Sequence, residues 1–263
     1  MPFYTDQLNR DVNLPSVPKR IISVVPSQTE LLFYLGLDEE IIGVTKFCIH
    51  PEDKFRSATK VGGTKQLDID KIKLLNPDLI IANKEENERG QLGELMQHFP
   101  VWISDIYKLD DALEMIEAVG KIVDREEAAL TLSRSVTKKF NALQATQSGL
   151  RTAYFIWRKP YMVAGKSTFI DDMLQKCGLV NAFDFERYPE INARQLQQSK
   201  PDVILLSSEP YPFKEKHLDE LKAIVPSAKI QLVDGEMFSW YGNRLLKAPS
   251  YFAGLIKRLT INQ

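Results

Sequence analysis

Cysteine and histidine are scarce in this 263-residue chain, with two of the first and three of the second. Cys48 and Cys177 cannot build a disulfide framework, and they lack the C-x-x-C spacing of a redox pair or zinc knuckle. Both are therefore read as reduced thiols. No run of ~18 apolar residues occurs, which excludes a membrane-spanning helix. The first twenty residues, "MPFYTDQLNRDVNLPSVPKR", have no basic start followed by an apolar stretch, so no secretory leader is read there. The expectation is a cytoplasmic protein, with a periplasmic or cell-surface location as the alternative if a leader has been removed. Net charge is −1 with both signs mixed along the chain, and no basic stripe suggests nucleic acid or an anionic membrane. A G-x-S-x-G elbow and a G-x-G-x-x-G turn are also missing, which argues against a serine hydrolase and a dinucleotide site.

Hydrophobic residues make up 44% of the chain and charged residues 26%, ordinary values for a globular protein. Disorder is expected only in the first dozen or so residues. The sequence then shows an internal repeat. In "RIISVVPSQTELLFYLGL" (20–37) a short apolar run reads as a buried strand, Ser27 and Glu30 have capping-box spacing, and Gly36 closes a helix. In "YMVAGKSTFIDDMLQKCGL" (161–179) Thr168 and Asp171 repeat the cap spacing, and Gly178 answers Gly36 at an offset of 142 residues. A second pair, "IDKIKLLNPDLIIAN" and "NARQLQQSKPDVILLSS", places Pro77-Asp78 against Pro201-Asp202 at an offset of 124. Two ordered matches predict two similar lobes.

The stretch between them is rich in Ala, Leu, Glu and Lys and has no proline, so helix is expected, running unbroken over residues 125–146. The predicted organisation is an N-terminal extension at 1–19 and an α/β lobe at 20–108. A helical linker with a bridging helix follows at 109–149, then a second α/β lobe at 150–263. The fold class is α/β, two Rossmann-like lobes bridged by one long helix, and the protein is expected to be a monomer.

Ligands of parallel α/β sheets sit beyond the carboxyl ends of the strands. The loops predicted there carry Lys46, Phe47, Cys48 and His50; Thr64 and Lys65; Glu85, Glu86 and Asn87. In the second half they carry Trp157 and Arg158; Glu209, Tyr211 and Phe213; and Asp234, Trp240 and Tyr241. Trp157, Trp240, Tyr241, Tyr211 and Phe47 would supply flat apolar walls, as a flat organic ligand requires. Lys46, Lys65, Arg158, Glu85 and Glu209 would orient polar groups. The letters "GKST" (165–168) end like a phosphate loop, but Pro160 stands where its first glycine belongs. Ser167 and Thr168 are kept instead as ligand contacts at a helix start. Two competing readings use the same loops. One is a metal-ion receptor with Cys48, His50, Glu86, Glu209 and Asp234 as ligands. The other is a small-molecule enzyme with Glu85 or Glu86 as general base.

The segments "RIISVVPSQTELLFYLGL", "IIGVT", "VGGTKQLDIDKIKLLNPDLIIA" and "KPDVILL" resemble the cobalamin- and siderophore-binding class of solute-binding proteins, the helical-backbone receptors of ABC importers. The resemblance runs from Arg20 to about Leu255. It implies a non-enzymatic receptor with a corrinoid, haem-like or iron–siderophore ligand in an interlobe cleft and no covalent cofactor. Phe47, His50, Thr64, Asn83, Trp157 and Trp240 occupy the ligand loops, and His50 is the candidate axial ligand. It also implies an ABC permease as partner, docked through an acidic residue on each lobe. Asp70 fits that role. Arg194 holds the matching place in the second lobe with the opposite charge, leaving Glu190 as substitute. "GGTK", "EEN", "EPYPF" and "WYG" are similar to a subgroup of these receptors that lacks a signal peptide.

Overall fold

The computed structural model describes residues 3–143 and 148–260. Strands β1 (Phe3–Thr5) and β2 (Asp11–Asn13) open the chain, followed by β3 (Ile21–Ser23), α1 (Pro26–Tyr34), β4 (Ile41–Val44) and α2 (Glu52–Ser57). Next come β5 (Gly62–Gly63), β6 (Gln66–Leu67), α3 (Ile69–Leu75), β7 (Leu79–Asn83), α4 (Arg89–Leu95) and β8 (Val101–Ser104). Helices α5 (Leu109–Ile122) and α6 (Glu126–Ala142) lead to β9 (Arg151–Trp157), β10 (Tyr161–Val163) and α7 (Phe169–Lys176). The chain continues through β11 (Val180–Asn181), β12 (Glu190–Ile191), α8 (Ala193–Ser199), β13 (Val203–Ser207) and α9 (Leu218–Ile224). It ends with β14 (Lys229–Val233), α10 (Glu236–Ser239) and α11 (Ala248–Thr260).

Two units result. The first holds residues 1–105, 110–135 and 241–243; the second holds 106–109, 136–240 and 244–263. Helix α6 begins in one and ends in the other. The helix expected over 125–146 is observed as Glu126–Ala142, and positions 144–147 lie outside the described residues.

In the first unit β4-β3-β7-β8 form a parallel sheet. Its central strands are buried along their whole length, which is why "LIIAN" reads as a continuous apolar run. Ile22, Val24, Ile80, Ala82 and Ile103 pack there against Leu92 and Leu95. In the second unit the order is β12-β10-β9-β13-β14, with β9, β13 and β14 parallel and β10 antiparallel to both of its neighbours. Phe155, Val163, Ile204, Leu206 and Leu221 fill that core. Burying each such side chain contributes about 1.5–3 kcal/mol.

The repeat is visible in ion-to-backbone detail. Helices α3 and α8 both end on a left-handed residue, Asn76 and Lys200, each just before a proline. Asp78 accepts from the Lys19 and Arg20 amides at 2.7 and 2.9 Å, while the Arg20 guanidinium donates to the Asn76 carbonyl at 3.1 Å. Asp202 accepts from the Arg151 amide at 2.8 Å, and the Arg151 guanidinium donates to the Ser199 carbonyl at 3.1 Å. Each clasp ties the first strand of a sheet to the negative end of the helix beside it.

Two local expectations are corrected. The N-terminus forms an ordered hairpin of β1 and β2. Buried Asp6 closes its turn, accepting from the amides of Leu8 and Arg10, and it also accepts from Ile103 on β8. The segment so covers the exposed edge of that sheet, a place where strands otherwise invite aggregation. Helix α1 has no capping box, because Pro26 takes its first turn and Val25 becomes the cap residue. Ser27 is left buried with its hydroxyl unpartnered. Thr168 does cap α7, accepting from the Asp171 amide, and Gly36 and Gly178 both take positive φ.

Candidate functional site

The loop after β4 alternates its side chains. Cys48 points inward, with its sulfur 3.1 Å from both Thr29 Oγ1 and Thr45 Oγ1. Phe47 and Ile49 on either side point outward and are 50% and 44% exposed. Lys46 places its ammonium 5.1 Å from the centre of the Phe47 ring. Phe47 rests close to Gly63, where an added Cβ would come within 3.1 Å of the ring. His50 follows, half-buried. The loop is therefore pinned by one buried thiol and offers two apolar side chains to solvent. Ile49 escaped the sequence reading, although it stands two residues beyond Phe47 in the same strand-end loop.

The loop after β7 has a different role from the one expected. Asn87 is buried and ties three segments together. Its Oδ1 accepts from the Asn83 amide at 2.8 Å, and its Nδ2 donates to the carbonyls of Val24 (3.1 Å) and Thr64 (3.0 Å). Asn83 is buried too, accepting from the Glu85 and Glu86 amides and donating to Ser104. Both asparagines are buried and spend these hydrogen bonds on shaping the loops. Lys65 donates to the Glu85 carbonyl at 2.6 Å, and Tyr241 OH donates to Glu86 Oε1 at 3.3 Å. Lys65 is exposed, and Thr64, Glu85 and Glu86 are half-buried.

In the second unit Trp157 ends β9, 40% exposed, with Tyr211 set edge-on at 5.6 Å. The Arg158 guanidinium donates twice to Glu220 Oε2, at 3.0 and 2.6 Å. Tyr161 donates to the same carboxylate, and these hydrogen bonds hold the Glu220 pKa below its ordinary value. Tyr161 and Glu220 were not foreseen, since no motif links them to Arg158. His217 is buried. Its Nδ1 accepts from the Lys214 amide, and burial lowers its pKa.

Several expected contacts are core residues instead. Phe213 packs against Phe155 and His217. Trp240 is buried, donating from Nε1 to Glu209 Oε1 at 2.8 Å, with the Arg244 guanidinium 4.8 Å from its ring centre. Tyr241 is buried as well. Glu209 also accepts from Ser239 Oγ at 2.6 Å, and burial pushes its pKa up. Thr168 is buried, donating to the Gly165 carbonyl at 2.9 Å while it caps α7. Two of the "GKST" amides are occupied: Gly165 N–H donates to the Arg187 carbonyl and Lys166 N–H to that of Phe185, both at 2.7 Å. Exposed Ser167 alone of the four keeps an accessible side chain on the predicted turn, apart from half-buried Lys166. A phosphate would find the Gly165 and Lys166 amides already taken.

Cys48, one of the residues of the metal reading, is buried, and burial pushes its thiol up to about 11. Among the described residues no group of three or more His, Cys, Asp or Glu is placed to hold a metal ion. Asp234 uses Oδ1 to accept from the Glu236 amide.

The family model described as periplasmic binding protein matches residues 21–225. The chain belongs to this family. Its members bind solutes, so this periplasmic-binding-protein chain is a solute-binding protein and not an enzyme, which sets aside the general-base role considered for Glu85 or Glu86. It is 29% identical over 203 residues to a vitamin B12-binding protein of Vibrio vulnificus, covering 74% of each chain. The structure of the periplasmic vitamin B12 binding protein of Vibrio cholerae superposes with a TM-score of 0.80 at 24% identity, covering 95% of this chain and 100% of that one. A periplasmic heme-binding protein of Roseiflexus sp. RS-1 gives 0.76 at 19% identity, covering 90% and 98%. Both structural likenesses establish the α/β fold of this family for the chain. Both neighbours are periplasmic, so the cytoplasmic expectation finds no support among them. No helix of the described residues is long and apolar enough to cross a membrane.

Proposed function

We propose that this periplasmic binding protein binds a large, flat, metal-centred organic ligand through the loops at the carboxyl ends of its parallel strands. The ligand classes are a corrinoid, a haem-like tetrapyrrole or a ferric siderophore. The observation that carries this reading is the loop after β4, where a buried thiol fixes the backbone and Phe47 and Ile49 are held out in solvent at the cost of their own burial. Trp157 against Tyr211 is the corresponding apolar surface of the second unit. The vitamin B12 and heme proteins named above support the same ligand class. The ligand's metal arrives within the ligand, with the apolar loops gripping its faces and His50 as the candidate axial donor.

The test is a thermal-shift and tryptophan-quenching titration with cyanocobalamin, haemin and a ferric hydroxamate. A ligand at 100 times its Kd stabilises the folded state by about 2.7 kcal/mol. Phe47→Ala with Ile49→Ala should abolish that shift and leave the midpoint without ligand nearly unchanged. If none of the three moves the midpoint or quenches fluorescence at saturating concentration, the reading fails.

We further propose an ABC permease as partner, engaged through Asp70. This residue is exposed at the second position of α3, with Leu74 one turn on and 85% exposed. Arg194 has the corresponding position on α8, and Glu190 is exposed on β12. The two units thus present opposite charges at matched places, so docking would need a partner with an acidic as well as a basic pocket. Pull-down with the cognate permease should be lost in Asp70→Lys and Arg194→Glu. The periplasm is the compartment this partnership implies, and cell fractionation tests it.

A further inference from the structure

Helix α1 starts just after β3, at the carboxyl end of the first sheet, and has no side-chain cap. Pro26 takes its first position. The Thr29 amide donates to the Val25 carbonyl at 2.9 Å. The Ser27 and Gln28 amides come before it, in the turn that has no intrahelical acceptors. Side chains of a helix lean toward its start, so the Ser27 hydroxyl is directed to the same end. Ser27 is 2% exposed, and its Oγ has no hydrogen-bond partner. A buried hydroxyl left in this way costs folding free energy, and its place at a helix start points to a group received there.

The same turn supplies an acceptor. Gln28 is fully buried, and its Nε2 donates to Ser104 Oγ at the end of β8. Its Oε1 is left without a donor. The start of α1 therefore combines donors from the backbone and Ser27 with an acceptor-only oxygen on the next residue. The positive end of the helix favours any oxygen that approaches. An ionised carboxylate would set lone pairs against Gln28 Oε1. It would also shed its water at a buried place, which costs far more than desolvating a neutral amide. A primary carboxamide meets both needs: its oxygen accepts from Ser27 and the first-turn amides, and its NH2 donates to Gln28. Gly242 lies over this turn. A Cβ there would stand 3.3 Å from the Ser27 carbonyl oxygen and 3.2 Å from Leu31 Cβ, all within the first unit. A group that reaches the turn displaces this glycine and arrives on an extended arm.

We propose that Ser27 and Gln28 form a carboxamide subsite of the ligand-binding loops. It selects a corrinoid, whose rim carries primary propionamide arms, over a haem, whose rim carries carboxylates. This rests on the ligand reading given above and names the class within it.

Tryptophan-quenching titration of the full chain with cyanocobalamin, its propionamide-derived monocarboxylic acids, haemin and a ferric hydroxamate tests it. Cyanocobalamin should bind most tightly, and at least one of the monoacids should bind about tenfold more weakly than it. In Ser27→Ala, cyanocobalamin should weaken about fivefold, the loss of one hydrogen bond. The thermal midpoint of that variant without ligand should stay level or rise, because an unpartnered buried hydroxyl has been removed. A hydroxyl with a merely structural role would give a lower midpoint and an unchanged affinity. Monoacids that all bind like the parent overturn the proposal and leave the ligand reading standing. So does an unchanged affinity in Ser27→Ala, or tighter binding of haemin or the hydroxamate than of cyanocobalamin. Absence of binding by all of these ligands overturns both. Should Ser27→Ala fail to fold by circular dichroism, the monoacid comparison still decides it.

Discussion

Replacing Asn87 by alanine removes three hydrogen bonds at once, two buried and one part-buried, and leaves the Asn83 amide and the Val24 and Thr64 carbonyls without that partner. At about 1 kcal/mol for each bond, the first unit should lose about 3 kcal/mol. A chain of two units does not guarantee a single unfolding transition, so the readout must be local. Trp102 is buried in the first unit, whereas Trp157 and Trp240 belong to the second. In a Trp157→Phe/Trp240→Phe background, fluorescence during urea unfolding therefore reports on the first unit alone. Asn87→Asp sharpens the test. It keeps the acceptor for the Asn83 amide but turns an oxygen toward two carbonyls, so its ionised form is disfavoured and its folded pKa is raised. Its penalty is then present at neutral pH, above that pKa, and shrinks as pH falls through it toward acid, where the protonated group can donate to one carbonyl. A loss below about 1 kcal/mol for Asn87→Ala, or a pH-independent penalty for Asn87→Asp, would refute the role given to this side chain.

Further outcomes follow from other sites. Glu209 has a raised folded pKa, so its burial costs nothing below the unfolded carboxyl pKa and becomes a penalty as pH rises through the folded value. Glu209→Gln should therefore gain stability relative to the parent between acid and neutral pH, measured as the midpoint difference across that range. Cys48 and Cys177 are both buried with raised thiol pKa values, so a thiol-specific chromogenic reagent at pH 8 should find no reactive thiol in the folded chain and two after denaturation. Gly165→Ala would put a Cβ 2.1 Å from the Phe185 carbonyl oxygen and should cost about 2 kcal/mol or more in denaturant unfolding. A wild-type midpoint would show that the Phe185 backbone yields freely.

What was legible in the sequence is what depends on near neighbours. Buried parallel strands show as apolar runs, Thr168 stands three residues before the amide it caps, and Gly36 and Gly178 mark positive φ. The misreadings come from partners far along the chain. Asp6 orders the N-terminal hairpin partly through Ile103, and Trp240 is drawn inward by Glu209. Asn87 reaches back to Val24. An aromatic or amide side chain in a strand-end loop looks the same in sequence whether it faces solvent or such a partner. The failed capping box at Ser27 was a local error: Pro26 occupies the first helical turn, and the cap shifts to Val25, which has no oxygen in its side chain. Arg20 and Arg151 also went unread, because the repeat was traced through apolar positions and the clasps are made by the charged residues that flank them.

The loop after β4 separates two duties among consecutive residues. Cys48 fixes the backbone from within, and Phe47 and Ile49 meet solvent. Substitutions at those two outward positions remove little packing, so under the binding role proposed for this loop a lineage can explore new ligand shapes there at small risk to folding. Changes at Cys48 would be filtered by misfolding long before they altered specificity. Under that proposed role, the room for evolutionary drift in ligand choice and the insurance against loss of structure lie side by side in "KFCIH".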